Sequence, residues 1–307
     1  MSGSQVLLIA GTHGNEINAP WLLDQWKNYP GLINNNDLTV LKIIGNPEAL
    51  KEGKRYINCD LNRCFRKELL NDNSNKDYEV VRAREIIKTF GPKGSNPSQI
   101  TIDLHSTTSS MGSSIVVYGR RFPDLAFASL VQSRLGLPIY LHEGDNTQQG
   151  FLVESWPCGL VIEIGPVPQG VLHPKIIDQS RLAIEICFEE LAKLNKGLAC
   201  FPEKIVIHRH IRSIDFPRAE NKRILGVVHP ERQGADWKPL SKGSPLFMKL
   251  DGNIETFEEN EPLVPVFINE AAYAEKNIAM SLTKREVWNV LDDWKYELLN
   301  LICLGTN

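Results

Sequence analysis

Apolar residues form short runs that alternate with longer amphipathic stretches over the first two thirds of the chain. Runs of about five apolar residues ended by glycine or proline are typical of buried strands, whereas apolar residues at every third or fourth position are typical of helices. This alternation predicts an α/β domain with a mostly parallel or mixed sheet and helices on both faces. The predicted strands are 7–10, 38–44, 100–104, 113–118 and 160–164, and the predicted helices are 19–26, 78–90, 125–135 and 176–195.

The pattern changes near residue 197. Short β-type runs at 204–210, 225–228 and 264–268 are broken by proline and glycine, and a helical period returns only over 283–303. We therefore predict a catalytic α/β domain over residues 1–196 and a smaller β-rich domain over residues 197–307 that ends in a helix.

Two of the predicted strands end in side chains that can bind a metal ion. His13 and Glu16 follow the first strand, and His105 follows the run 100–104. Two imidazoles, one carboxylate and an open fourth position are typical of catalytic zinc, which lowers the pKa of a bound water to about 7. Asp103 could orient a ligand, or it could be an ordinary acid at the end of a strand. A histidine and a glutamate three residues apart also occur by chance, so the pair alone does not define a site.

Charge and composition exclude several classes of protein. The 307 residues carry a net charge of −3 with no basic tract, which argues against a nucleic-acid partner. The six cysteines contain no CxxC pair, as expected of a reducing compartment. We find no signal peptide and no apolar run near the ~18 residues that span a membrane. We expect a cytoplasmic protein that does not contact membranes. The sequence leaves open whether it forms a homo-oligomer.

Several other polar residues are candidates for a functional role, each with a simpler structural alternative. Glu163 interrupts an apolar run, where an unpaired carboxylate is costly to bury. It is either a surface-facing strand residue or a general base for water. Arg55, Asn62 and Arg63 lie in a nine-residue polar segment that suits an anionic substrate or a developing oxyanion, or is a solvated loop. Tyr273 is either a donor to substrate or a half-buried aromatic residue.

The remaining histidines are weaker candidates. His208 and His210 alternate on one strand face and could bind metal, but no acid nearby completes a site. His142, His173 and His229 are interpreted as surface or packing residues.

Taken together, five motifs in this order resemble aspartoacylase. The resemblance covers most of the chain, and the set is far more specific than any single motif. The motifs are Gly11-Thr12-His13-Gly14-Asn15-Glu16, Arg55-Tyr56-Ile57-Asn58-Cys59-Asp60-Leu61-Asn62-Arg63, Asp103-Leu104-His105-Ser106-Thr107-Thr108, Ile162-Glu163-Ile164-Gly165-Pro166 and Asn269-Glu270-Ala271-Ala272-Tyr273.

The resemblance implies a zinc carboxypeptidase-like α/β domain followed by a smaller β-rich domain that narrows the channel to the site. It implies hydrolysis of N-acetyl-L-aspartate to acetate and L-aspartate with one zinc ion per chain. It also implies a role for each candidate residue: His13, Glu16 and His105 bind zinc, Glu163 is the general base and acid, Arg55 polarises the scissile carbonyl, Asn62 and Arg63 hold the substrate α-carboxylate, and Tyr273 contributes from the second domain.

Two positions depart from the family pattern. The family has an arginine before the Glu163 strand that binds the aspartate side chain, whereas a gapped match here places Gln149 or a neighbour. Arg120, Arg121 or Lys276 could replace that cation. The family also has a lysine four residues after the tyrosine, and that position is Asn277, beside Lys276.

Three functions therefore remain open from the sequence. The first is a zinc amidohydrolase for an N-acyl amino acid, with N-acetyl-L-aspartate as the leading substrate. The second is a deacylase for another N-acyl amino acid or a zinc carboxypeptidase. The third is a ligand-binding relative without catalysis, although such a protein has no need of a general base beside a metal.

Overall fold

A nine-stranded mixed sheet forms the centre of the structure, a computed structural model that describes residues 5–145 and 148–304. A second sheet has three strands. The strands are β1 (Val6–Ala10), β2 (Val40–Ile44), β3 (Ile100–Ser106), β4 (Ser114–Tyr118), β5 (Ile139–His142), β6 (Cys158–Ile164), β7 (Lys204–Ile214), β8 (Gly226–Val228), β9 (Pro245–Lys249), β10 (Ile254–Thr256), β11 (Val264–Val266) and β12 (Met280–Asn289).

Helices cover both faces of the large sheet. Four short 3₁₀ helices add turns at 30–32, 61–63, 152–155 and 271–276. The α-helices are α1 (Asn18–Asn28), α2 (Pro47–Glu52), α3 (Lys67–Asn71), α4 (Tyr78–Phe90), α5 (Phe122–Leu135), α6 (Pro174–Asn195) and α7 (Asp292–Leu304). None of the helices in the described part of the chain has the length and apolarity needed to cross a bilayer.

The large sheet has the order β11-β12-β7-β5-β4-β6-β3-β1-β2. Strands β2, β1, β3 and β6 are parallel to one another, and β4 runs antiparallel to β6. Strands β4, β5 and β7 are again parallel, and the antiparallel strands β12 and β11 complete the edge. The prediction of a mixed sheet flanked by helices, with a smaller β-rich part, is confirmed.

Successive residues of β1 belong to two different cores because side chains alternate across a strand. Leu8 packs among residues of α1, α5, α6 and α7. Leu7 and Ile9 pack on the other face, with Val80 of α4 and Leu61 of the 3₁₀ turn. The chemistry described below lies on this second face of the sheet.

The last third of the chain divides between the two sheets. Strands β7, β11 and β12 extend the large sheet, and β8, β9 and β10 form the small one. The small sheet contributes to a third core of its own, which includes Leu240, Phe247 and Phe257.

The predicted terminal helix over 283–303 is wrong in its first part. Residues up to Asn289 belong to β12, which pairs with β7 from Met280 opposite Ile214 to Asn289 opposite Lys204. The charged residues of this stretch favour a helix locally, but the long ladder with β7 decides the structure. Only α7 remains helical, and it packs on α5 and α6.

Candidate active site

Three parallel strands place the predicted metal ligands and the predicted base at one edge of the sheet. His13 follows β1 across Gly11, whose φ of +67° favours glycine. Gly14 lies against the backbone of Ala49, where a Cβ atom would come within 2.1 Å. His105 ends β3 and pairs in register with Glu163 of β6. The turn after β1 is therefore held tightly, with its side chains directed at the neighbouring strand ends.

The three predicted metal ligands converge in a buried cluster. Glu16 Oε1 lies 2.7 Å from His13 Nδ1, and Glu16 Oε2 lies 3.1 Å from His105 Nδ1. One potential ligand atom of each side chain lies within 4.8 Å of the others, and no other such group occurs among the described residues. The main-chain N–H of Ser106 donates to Glu16 Oε2 at 3.0 Å, which fixes the carboxylate.

Each histidine is oriented by an aspartate on its far nitrogen. His13 Nε2 lies 3.0 Å from Asp60 Oδ1, and His105 Nε2 lies 2.8 Å from Asp103 Oδ2. The Thr12 hydroxyl donates to Asp103 Oδ1 at 2.8 Å. A carboxylate on the outer nitrogen fixes ring orientation and makes the inner nitrogen the free ligand atom. Asp60 belongs to the motif at residues 55–63, but the sequence did not predict a role for it.

The electrostatics of the cluster favour charged carboxylates. Burial alone would raise the pKa of Glu16, but His13 and His105 lower it below its usual range. Burial likewise opposes the ionisation of Asp60, and His13 and Arg55 lower its pKa well below its usual range. These acids therefore remain anionic at neutral pH, as metal ligands and their partners require.

The donor set fits zinc. Both inner Nδ1 atoms and both oxygens of Glu16 face one another, while each outer Nε2 atom has a carboxylate partner. Two imidazoles and one carboxylate are a ligand set that zinc uses in catalytic sites.

Glu163 faces the same cavity from β6. Its carboxyl group is half-buried, and burial raises its pKa to about 8, with Glu16 and Glu270 adding to the rise and His105 and Arg55 opposing it. A carboxylate held in such surroundings accepts protons more readily than an exposed one.

Arg55 lines the same cavity as Glu163 and contacts the ligand cluster. Its guanidinium lies 3.4 Å from Glu16 and 3.4 Å from Asp60, and Nη2 is 2.8 Å from His13 Nε2. The contact between Arg55 Nη2 and His13 Nε2 requires that Nε2 carry no proton. A metal ion bound at His13 Nδ1 would leave the proton on Nε2, and Arg55 would then pair with the carboxylates of Glu16 and Asp60. Arg55 Nε is buried without a hydrogen-bond partner in the described chain.

Lys276 brings a second cation to the same region. Its Nζ lies 3.7 Å from Asp60 Oδ2 and has no hydrogen-bond partner among described groups. Burial, with Arg63 and Arg55 nearby, lowers its pKa to about 8. The short 3₁₀ turn at 271–276 brings Lys276 near the site, although the family lysine was expected at Asn277.

Asn62 and Arg63 both line the cavity from the 3₁₀ turn at 61–63. Asn62 Oδ1 accepts from the Leu152 main chain at 2.8 Å, which leaves its amide nitrogen for the cavity. Arg63 stacks on Phe151, with Cζ 4.0 Å from the ring centre, and donates to Gln148 Oε1 at 2.8 Å.

The structure places Gln149 differently from the prediction. Gln149 is exposed and does not line the cavity, whereas the neighbouring Gln148 is buried and lines it. The Gln148 main-chain N–H donates to the Asp145 carbonyl at 3.3 Å. The sequence match located the segment but not which of its two adjacent glutamines faces the site.

Two residues from the last third of the chain, Glu270 and Tyr273, also line the cavity. Tyr273 lines the cavity, packs on Phe267 at 5.3 Å, and has its pKa raised by burial, so its hydroxyl keeps its proton. Glu270 accepts from the main chain of Thr108 at 2.8 Å and Ser109 at 2.9 Å. Sequence reasoning assigned Glu270 no role, although it stood in a quoted motif.

A neutral wall forms the rest of the cavity, and sequence reasoning missed it. It comprises Val116 and Tyr118 of β4, Tyr140 and His142 of β5, and Phe151 and Phe267. His142 had been interpreted as a surface or packing residue, yet it faces the cavity. A prediction of β5 would have placed His142 at a strand end, as for His13 and His105.

The other candidates lie away from the cavity. Arg120 pairs with Glu143 at 2.8 Å, and Arg121 with Asp124 at 2.6 Å. His208 and His210 have their pKa lowered by burial and are not part of a metal cluster in the described chain.

Family models match most of the chain. The succinylglutamate desuccinylase/aspartoacylase catalytic domain matches residues 2–191, and the barrel-sandwich hybrid domain of the same family matches residues 203–285. These two matches lie on either side of residue 197, where the sequence pattern changes.

Individual proteins agree with the family models. A "Probable aspartoacylase" of Prochlorococcus marinus (strain MIT 9313) is 59% identical over 98% of this chain and 99% of its own. The crystal structure of murine aminoacylase 3 is 30% identical, with a TM-score of 0.85 over 94% of this chain and 98% of its own. Succinylglutamate desuccinylase from Vibrio cholerae is 17% identical, with a TM-score of 0.60 over 94% and 82%, and shares the fold.

Proposed function

This chain belongs to the succinylglutamate desuccinylase/aspartoacylase family of hydrolases, and we propose that it is a zinc-dependent deacylase that hydrolyses the amide bond of an N-acyl amino acid. The observation that carries this proposal is the placement of Glu163 and Arg55 beside the cluster of His13, Glu16 and His105. A binding protein would have no use for a carboxylate of raised pKa next to a metal site.

His13, Glu16 and His105 would hold the zinc ion, and Asp60 and Asp103 would keep the two rings in place. Zinc bound there supplies a Lewis acid that activates water and polarises the acyl carbonyl. The remaining work belongs to side chains of the protein.

Glu163 would move the protons. Its carboxylate accepts a proton from the attacking water and then donates that proton to the amine that leaves. Burial raises its pKa to about 8, which suits a group that must both accept and release a proton near neutral pH.

Arg55 would stabilise the negative charge that develops on the acyl oxygen. Its Nε is a buried donor without a partner, and a fixed cation in a cavity stabilises an oxyanion strongly. Burial opposes its charge, but Asp60 and Glu16 raise the pKa of Arg55, so the guanidinium stays protonated.

The substrate carboxylate would bind beside Arg55. Asn62 and Arg63 line the cavity and carry the donors that suit an α-carboxylate, and Lys276 Nζ is a further buried cation without a hydrogen bond. The Tyr273 hydroxyl, which also lines the cavity, would donate a hydrogen bond to the substrate. Arg55 Nε and Lys276 Nζ make no hydrogen bond with any described residue, which supports an anionic ligand over a neutral one.

The resemblance to aspartoacylase makes N-acetyl-L-aspartate the reference substrate. A zinc carboxypeptidase is the alternative chemistry, and it would cleave a peptide bond next to a free terminal carboxylate. The products distinguish the two reactions.

Acetate release from a panel of N-acetyl amino acids, with and without a chelator, tests the proposal. We expect hydrolysis of at least one N-acetyl amino acid, its loss on chelation and its return with zinc. Release of amino acids from dipeptides but no acetate from the panel would favour the carboxypeptidase. Activity that survives complete zinc removal would contradict the metal dependence.

A further inference from the structure

Residues of β4 line the cavity together with the charged residues described above. Glu163 pairs with Ser114 at the start of β4, and Tyr118 lies four residues farther along the same strand. At roughly 3.3 Å per residue this is about 13 Å of strand. The backbone of Tyr118 is therefore well separated from that of Glu163, and we call the lining around Tyr118 the far end of the cavity.

Aromatic rings form the walls at this far end. Tyr118 stacks on Phe151 with ring centres 3.7 Å apart. His142 meets both rings edge-on, at 5.2 Å from Phe151 and 5.7 Å from Tyr118. Val116 completes the floor. All four side chains are at least nine-tenths buried.

Among the described residues, His142 Nε2 is a polar atom in these walls without a hydrogen-bond partner. His142 Nδ1 lies 3.2 Å from the Tyr140 hydroxyl, which orients the ring. His142 Nε2 is buried and makes no hydrogen bond with any described group. The Gln148 backbone acts to raise the pKa of His142, against the larger lowering by burial. Buried polar atoms are nearly always paired, so an unpaired one in a cavity wall points to a ligand.

The rings at the far end are themselves uncharged, and Arg63 and Asp145 are the charged side chains that act on His142. Burial lowers the pKa of His142 to about 4, with His210 adding to the shift, so the imidazole is neutral at neutral pH. Between Arg134 and Glu163 the chain contributes only Tyr140, His142, Gln148 and Phe151 to the described cavity wall. Under the proposed function Arg63 is occupied by the α-carboxylate, so a second carboxylate buried against these rings would lose its hydration without a free cation to pair with.

The position of Arg63 identifies which part of the substrate reaches this end. Under the proposed function, Arg63 holds the α-carboxylate and the acyl group lies at the zinc ligands. Arg63 stacks directly on Phe151, so a substrate held by Arg63 through its α-carboxylate would place the side chain of its α-carbon near Phe151 and His142.

We propose that His142 is a specificity-determining residue, whose Nε2 hydrogen-bonds an uncharged polar group on the side chain of the N-acyl amino acid. The neutral walls exclude an acidic side chain, and His142 distinguishes a polar side chain from an apolar one. This proposal rests on the proposed deacylase function, and it makes N-acetyl-L-aspartate a poor substrate.

Two matched pairs of substrates test the proposal. N-acetyl-L-asparagine and N-acetyl-L-aspartate differ in charge, and N-acetyl-L-tyrosine and N-acetyl-L-phenylalanine differ in one hydroxyl group. For the wild type we expect kcat/KM to favour asparagine over aspartate by at least about tenfold, and tyrosine over phenylalanine by about tenfold, as one hydrogen bond provides.

The variant His142→Phe keeps an aromatic ring but removes Nε2. We expect it to lower kcat/KM for the tyrosine and asparagine derivatives by about tenfold while the phenylalanine derivative keeps its rate. Gln149→Arg is the matched control in the neighbouring segment, because Gln149 is exposed. Zinc content and thermal unfolding of each variant report whether it folds, and His142→Gln, which restores a polar end, recovers part of the preference.

The outcomes separate this proposal from the function beneath it. Preference of the wild type for aspartate over asparagine, or an equal loss by His142→Phe on all four substrates, overturns the role of His142 while the deacylase function stands. Failure to hydrolyse any N-acetyl amino acid overturns the proposed function, and this inference with it.

Discussion

The two ends of the cavity are lined by different kinds of side chain. At one end, charged side chains hold one another: Asp60 and Asp103 fix two histidines, and Ser106 fixes Glu16. At the other end, stacked rings form neutral walls around His142 Nε2, which makes no hydrogen bond with any described residue. The difference separates two tasks within one cavity, since groups at the charged end would break the amide bond and those at the neutral end would select the side chain.

The physical reason for the difference is the energy of buried charge. A buried charge costs several kcal/mol unless partners surround it, so the charged end needs a dense network. Neutral rings need only close packing. Substitutions at the charged end should therefore lower turnover of every substrate, and substitutions at the neutral end should change the ratio between substrates.

The largest effect is expected from Glu163→Gln. The substitution keeps the size of the side chain but removes the proton acceptor, so kcat should fall about 10²–10⁴-fold on all substrates. Steady-state kinetics on an accepted N-acetyl amino acid measure this, with zinc content as the control for an intact site.

The pH profile provides an independent check on Glu163. Only its carboxylate form accepts a proton, so wild-type kcat/KM should fall as the pH drops through the pKa of Glu163. The residual activity of Glu163→Gln should lack that fall. A loss of kcat below about tenfold would remove Glu163 from the role of base.

Arg55→Ala should lower kcat by about 10²–10³-fold, because one lost donor to a developing oxyanion typically costs that much. The ratio of rates between asparagine and aspartate substrates should stay unchanged. A change confined to KM would instead make Arg55 a residue that binds the ground state.

Asp103→Asn should have a smaller effect. Loss of an orienting carboxylate typically costs about 10–100-fold in metal affinity or activity. Titration of the zinc-free variant with zinc, compared with the wild type, measures the affinity. Unchanged affinity together with unchanged activity would mean that Asp103 only packs in the strand.

The smallest effect belongs to Gln149→Arg. The sequence match placed Gln149 or a neighbour where the family has an arginine, but Gln149 is exposed, and we expect a surface change of this kind to alter kcat/KM by no more than about twofold. Kinetics on the aspartate and asparagine derivatives measure the change. A gain of tenfold or more for aspartate would show that residue 149 reaches the cavity.

Sequence reasoning located the charged end well. His13, His105 and Glu163 follow or interrupt short apolar runs, and polar residues in such places are visible without a structure. The strands β1, β3 and β6 that carry them were predicted, and the helix at 78–90 matches α4. The family lysine position is Asn277 in this sequence, and the neighbouring Lys276 lies near the site at the end of a 3₁₀ turn that the sequence did not predict.

The neutral end was missed for a physical reason. Its residues are aromatic or aliphatic, so along the chain they resemble ordinary core. Strand β5 has only four residues and was not predicted, which removed Tyr140 and His142 from consideration. Whether a buried ring packs against protein or faces a cavity depends on tertiary contacts that no local pattern encodes.

The zinc content of three proteins tests the central claim that the charged end binds metal through His13, Glu16 and His105 and uses Glu163 for proton transfer. Wild type and Glu163→Gln should each hold about one zinc ion per chain, whereas His105→Ala should hold far less at the same concentration of free zinc. The account is contradicted if the folded wild type binds no zinc, or if Glu163→Gln loses zinc to the same extent as His105→Ala.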